Sequence, residues 1–198
     1  MLSEQAKQEI QAALKLRPVA GNIETGNKLM LALGDIIGRE RNREDVFSSI
    51  RKLRDISVKK QFSGRNASST DIKSGIGGIR EIEFLAQGLQ LVNAHEHPSL
   101  VNGNTLNALE LLNESKILSR EKAKQLSDDY IFLRVIEHYL QILEDQQLHS
   151  LPSDPKELSA LAKRVLGIKE DFNTFSVKLN ECLCRVHNLY RGYIEKAL

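Results

Sequence analysis

The stretch DIKSGIGGIREIEFLAQGLQLV, residues 71–92, decides how this chain is read. It opens as a short extended piece, turns through Gly75, Gly77 and Gly78, and carries helical periodicity from about Ile79 to Val92. Ile79, Ile82, Leu85 or Ala86, and Leu89 recur at three and four, which makes one apolar stripe. Arg80, Glu83, Gln87 and Gln90 make a second, polar stripe at the same spacing, so Arg80 and Glu83 are placed to pair. Glycines ahead of a helix permit positive φ and close backbone approach, and they aim free N–H groups toward any anion placed there, with Lys73 and Arg80 adding charge. The pattern is neither a Walker A loop nor the dinucleotide fingerprint, because GxxxxGK is missing and GIGGIR does not read GxGxxG. The polar stripe is then either a solvated face with an ordinary ion pair or the border of a nucleotide cleft.

Outward from this segment the pattern stays helical. Upstream, Ser3 caps a predicted helix through Leu16, which the Arg17-Pro18 pair closes, and a second helix covers Glu24 to Ile37 with Gly38 at its end. A third runs from Arg43 to Phe62, with Val46, Phe47, Ile50, Leu53 and Ile56 or Ser57 facing inward and charge on the other side. SGRNASST, residues 63–70, has no apolar period and reads as a loop. Downstream, Asn104 or Thr105 caps a helix through Asn113, and Ser119 starts a long one from Arg120 to about Ser150. Its inner stripe is Leu126, Tyr130, Leu133, Ile136 or Glu137, Leu140 and Leu143 or Glu144. Asp154-Pro155-Lys156-Glu157 supplies a cap, a proline at the first helical position and a reciprocal Glu, Gly167 supplies the stop, and a last helix fills Lys169 to Ala197. The expected fold is all-α: an antiparallel helical bundle over 67–198, with an N-terminal helical extension over 1–66 and a short glycine-rich extended turn.

The 198 residues are 41% hydrophobic, and 28 basic and 26 acidic residues are intermixed to a net charge of +2, so no strong field favours nucleic acid or an anionic membrane. No apolar run approaches a membrane span and the opening MLSEQAKQEIQ is not a signal peptide, so a cytoplasmic location is expected. Cys182 and Cys184, one residue apart in a helix, are read as reduced structural thiols. His95 and His97 read as an exposed loop pair. On the long helix Arg134, His138, Gln141, Asp145 and His149 form a polar line that must meet water or a partner; its residues are expected to be less exposed than a solvated face. His138 and Asp145 lie too far apart for a compact metal site. No serine elbow, Cys–His pairing or His-Asp dipeptide is present, nor the Gly-Ser and Asp-x-Asp that two-metal nucleotidyl transfer needs, so no residue is assigned a catalytic role.

DIKSGIGGIREIEFLAQGLQL resembles the signature stretch of the glutamine synthetase adenylyltransferases, a bifunctional family that adenylylates and deadenylylates glutamine synthetase. Residues 105–152, with their FLR, EH, LQ, DQ and H positions followed by Leu-Pro, are similar to the family's later pattern, and KLRPVAG, residues 15–21, is similar to its Arg-Pro-Val-Ala-Gly turn. Ser74 and Ile76 stand where the family usually has Leu and Pro, Tyr139 where it often has Arg, and residues 95–102 diverge. The resemblance implies that Asp71, Lys73, Gly75, Gly77, Gly78, Arg80, Glu81 and Glu83 lie beside a nucleotide cleft, with Lys73 and Arg80 on phosphate, Glu83 orienting Arg80 and the glycines shaping the turn. It also implies that a nucleotidyltransferase core with metal-binding aspartates lies before residue 1, so this chain is a truncated piece or a degenerate relative and is inactive alone. ATP and Mg2+ are implied for the parent enzyme and no cofactor for this chain. The implied partners are the missing core, glutamine synthetase and the PII protein. A non-catalytic interaction bundle, or a fragment of a PII uridylyltransferase, whose glycine-rich signature is related, is the alternative.

Overall fold

Short polar side chains set the helix starts. In a computed structural model, which describes residues 3–62, 70–144, 150–169 and 171–195, Ser3, Asn22, Asn104, Asp154 and Asp171 each accept a backbone N–H from the first turn of the helix that follows. The helices are α1 (Glu4–Ala13), α2 (Ile23–Ile37), α3 (Arg43–Phe62), α4 (Ile79–Asn93), α5 (Thr105–Glu114), α6 (Arg120–Glu144), α7 (Pro155–Leu166) and α8 (Phe172–Tyr190). The chain is all-α, as its periodicity predicts. No helix among the described residues is long and apolar enough to cross a membrane.

Three boundaries differ from expectation. α1 stops at Ala13 rather than Leu16, because the N–H groups of Lys15 and Leu16 turn back to Ala12 and Ala13 in tighter three-residue steps. α8 ends at Tyr190 and passes into a π-helical turn, Arg191–Glu195, whose Ile194 carbonyl accepts from Arg51 Nη1 at 2.7 Å. Ser150 is not helical: it forms an antiparallel bridge with Asp71, and Leu151 N donates to Thr70 O at 3.0 Å. This pairing ties the entry of the glycine turn to the segment leading into α7.

α4 is the central element and packs against α3, α5, α6 and α8. Ile79, Ile82, Leu85, Ala86 and Leu89 are buried as the apolar stripe requires, but Glu81, Gln87 and Gln90 are buried too, so the helix is enclosed on nearly every side. Gly88 lets α3 and the π turn approach closely, since a Cβ there would meet Ile50 Cδ1 at 2.7 Å and Ile194 Cδ1 at 3.2 Å. On α3, Val46, Phe47 and Ile50 are buried as expected, whereas Ile56 is exposed and Ser57 takes the inner position. One hydrophobic cluster runs from Leu14, Phe47 and Ile50 through α4 to Leu133, Phe175 and Tyr190, so the N-terminal helices share the core of the rest. Cys182 and Cys184 are unbridged thiols, the first buried and the second exposed.

Gly77 sits at φ +73°, and a Cβ there would lie 2.0 Å from the Leu183 carbonyl oxygen on α8. Gly77→Ala therefore combines backbone strain with a backbone clash and is expected to cost about 3 kcal/mol or more in urea unfolding. Gly34→Ala, in the interior of α2 with nothing within 4 Å of the new Cβ, is expected to gain about 0.5–1 kcal/mol in the same measurement.

Candidate functional site

The glycine turn is built by Asp71. Its Oδ1 accepts from Lys73 N and Ser74 N, both at 2.8 Å, and its carbonyl accepts from Gly75 N at 3.0 Å. The chain then folds back so that Ile79 N and Arg80 N donate to the carbonyls of Ile72 and Lys73, both at 2.9 Å. These are N–H groups that the sequence leaves open for an anion, and the turn's own carbonyls occupy them. The anion cradle expected at the start of α4 is thus corrected to a self-capped helix end. Gly78 is where this folding back is tightest: a Cβ there would meet three carbonyl oxygens, of Ile72, Lys73 and Gly75, at 2.7–3.0 Å.

Each member of the polar stripe of α4 has its own internal partner. Arg80 Nη1 donates to Ser57 Oγ on α3 at 2.8 Å, Gln87 Oε1 accepts from Gln11 Nε2 at 2.7 Å, and Gln90 Nε2 donates to the carbonyls of Leu100 and Asn102 at 2.6 and 2.8 Å. Glu83 accepts from Arg134 Nη2 at 3.1 Å and Tyr130 Oη at 3.2 Å, with Lys15 Nζ at 3.4 Å. The expected Arg80–Glu83 pair is therefore replaced by two separate contacts. A carboxylate three positions along the same helix yields to partners that neighbouring helices place closer to hand.

Two charged clusters result. In the first, Glu81, 1% exposed, accepts from Arg54 Nε and Nη2 at 3.0 and 2.8 Å and faces His187 Nδ1 at 3.0 Å, so one carboxylate joins α3, α4 and α8. Beside it the Tyr190 hydroxyl is buried with no hydrogen-bond partner, and burial pushes its pKa well above the usual phenol range. In the second, Arg134 stacks over Tyr130 and bonds Glu83 and Glu137, and Glu137 also pairs with Lys73 Nζ at 3.2 Å. Burial acts to raise the Glu137 carboxyl, but the hydrogen bonds from Arg134 and Lys73 outweigh it and hold the group below the usual carboxylate range. The second cluster links the glycine turn to α6 and, through Lys15, to the segment after α1.

Of the expected polar line on α6, Arg134 is drawn into this network, Gln141 is half-buried and His138 is exposed against the Tyr139 ring; Asp145 and His149 lie outside the described residues. His95 is exposed and His97 half-buried. No group of three or more His, Cys, Asp or Glu side chains suited to a metal occurs among the described residues. Sequence reasoning missed Arg54, His187, Ser57 and Lys15, whose pairings span 23–106 residues and leave no local spacing to read. Tyr130–Arg134–Glu137, at four and three, carried a helical signal that was open to view.

The family model described as GlnD PII-uridylyltransferase matches residues 51–194, which contain both clusters and the glycine turn. The chain belongs to this family. Among curated relatives, the bifunctional glutamine synthetase adenylyltransferase/adenylyl-removing enzyme of Agrobacterium fabrum is 36% identical over 95% of this chain and 19% of its own length. The enzymes of the same name from Streptomyces avermitilis and Mycobacterium tuberculosis are 34% and 37% identical over 82% and 77% of the chain, and 16% and 15% of their own lengths. The resemblance to glutamine synthetase adenylyltransferases expected from the glycine stretch is borne out, and the chain spans about a fifth or less of these relatives.

In this family member Arg54→Met leaves a buried carboxylate facing only His187 and is expected to cost about 3–5 kcal/mol by denaturant unfolding. Combining it with Glu81→Gln should recover part of that loss. The second cluster has an acid signature: because folding lowers the Glu137 pKa, its stabilisation is present above about pH 4 and is lost as pH falls through the folded value. Stability against pH should therefore fall more steeply on the acid side in the natural chain than in Glu137→Gln, and parallel curves would remove Glu137 from the acid response.

Proposed function

We propose that this chain is the helical region of a glutamine synthetase adenylyltransferase, working beside a nucleotidyltransferase core that uses ATP and Mg2+. Residues 1–66 form the N-terminal helical extension of that region and 67–198 its bundle. The observation that carries the proposal is the way the glycine turn is fixed: Asp71 and the Gly78 fold-back hold Lys73 and Arg80 on rigid backbone at the head of α4, both half-buried. Arg80 rests on a neutral hydroxyl, so an incoming phosphate need not displace a carboxylate from it. The N–H groups of Gly78, Ile79 and Arg80 are spent on the turn's own carbonyls, which favours phosphate contact through these two side chains, and guanidinium geometry favours bidentate recognition.

Two measurements test this. The chain alone, with ATP, Mg2+ and glutamine synthetase, is expected to give no adenylylation. In an enzyme of the relatives' length carrying this region, Arg80→Lys is expected to cut turnover about tenfold or more while the melting midpoint stays nearly constant. Unchanged turnover would remove Arg80 from the nucleotide and leave its bond to Ser57 as its role.

A further inference from the structure

Exposed apolar side chains are concentrated early in the chain. Leu16, Val19, Ile23, Leu29, Leu31 and Ile36 are all exposed, Leu29 by 57% and Ile36 by 39%. Four of the six lie on α2, which packs chiefly against α1. Its inner side is the row Gly26, Met30, Leu33 and Ile37: Gly26 lies against Pro18, Met30 and Leu33 are half-buried and Ile37 is buried. Next to that row runs a second one, Thr25, Leu29, Ala32 and Ile36, spaced four, three and four, every member exposed. A helix whose apolar surface extends past its chief neighbour has room for a further partner.

We propose that this further partner is another copy of the chain, with two α2 helices packed antiparallel about a two-fold axis. The seam is self-complementary. Placing the axis between Met30 and Leu31 sets each Leu29 over Ala32 of the second copy and each Ile36 over Thr25, so a large side chain meets a smaller one at every layer. The flanks agree in charge: Lys28, already 2.8 Å from Glu24, comes diagonally opposite Asp35 of the second copy, and the symmetry makes that contact twice. A surface kept for a different protein has no need of this internal match between Leu29 and Ala32 or between Lys28 and Asp35. The layers from Thr25 to Ile36 give a seam roughly 17 Å long, at the small end of specific interfaces, so association is expected in the range of tens of micromolar.

Sedimentation of the purified chain from about 1 to about 500 µM tests this. The expected result is a reversible monomer–dimer equilibrium that Leu29→Asp abolishes with the melting midpoint unchanged, since that side chain is exposed. Lys28→Asp alone and Asp35→Lys alone should each weaken the dimer by bringing like charges together. Their equimolar mixture should associate again, because each acidic pair then faces a basic one. A chain that stays monomeric throughout overturns the proposal, as does a dimer that survives Leu29→Asp. A mixture that associates no better than the separate variants also overturns it, by showing that contact is not two-fold and antiparallel. None of these outcomes depends on nucleotide or glutamine synthetase, so they leave the adenylyltransferase assignment to its own tests.

Discussion

A carboxylate that is 1% exposed must be matched in charge and hydrogen bonding, and Glu81 imposes that demand at the point where three helices cross. Arg54 comes from α3 and His187 from α8, so both helices are held in rotation as well as in distance relative to α4. Apolar contacts alone tolerate small slides of one helix along another. A forked guanidinium on one carboxylate oxygen does not, because the angle of each N–H matters. Other features of the region follow from this fixed crossing: Gly88 lets α3 come close, Gly77 lets α8 pass over the turn, and Arg51 reaches the π turn beyond α8.

The glycine turn is the second organising element, and it works by satisfying itself. A helix start normally presents several N–H groups that need acceptors. Here no side chain caps α4; the carbonyls of Ile72 and Lys73 do so, and this requires the chain to double back at Gly78 through a space that any Cβ would fill with a clash. Asp71 holds the other end of the loop and also bridges to Ser150. The turn is therefore a mount held by its own hydrogen bonds, and it carries the Lys73 and Arg80 side chains to the head of α4.

Much of this fold was legible because helix periodicity and caps are local. Ser3, Asn104, Asp154, Pro155 and Gly167 mark boundaries that the structure keeps, and the apolar stripe of α4 is buried as read. What spacing could not supply is the partner of each polar residue. Arg80, Glu83, Gln87 and Gln90 look like one face of one helix, yet each is claimed by a different neighbour: Ser57, Arg134, Gln11 and the Leu100 carbonyl. The open N–H groups expected at α4 were lost for a related reason, since the acceptors that fill them depend on how the backbone doubles back. Resemblance reaches further than periodicity in placing the turn and α6 in one family, and the structure adds that Asp71 and Glu81 have partners within the fold.

Gln90 adds a consequence of another kind. Its amide holds the loop before α5 by the carbonyls of Leu100 and Asn102, and a carbonyl is the same whatever side chain accompanies it. A segment gripped through its main chain can drift in sequence without losing its path, provided the buried Leu100 keeps an apolar replacement. The grip on the backbone gives such drift a physical licence, with side chains free to vary while the main chain holds the route between α4 and α5.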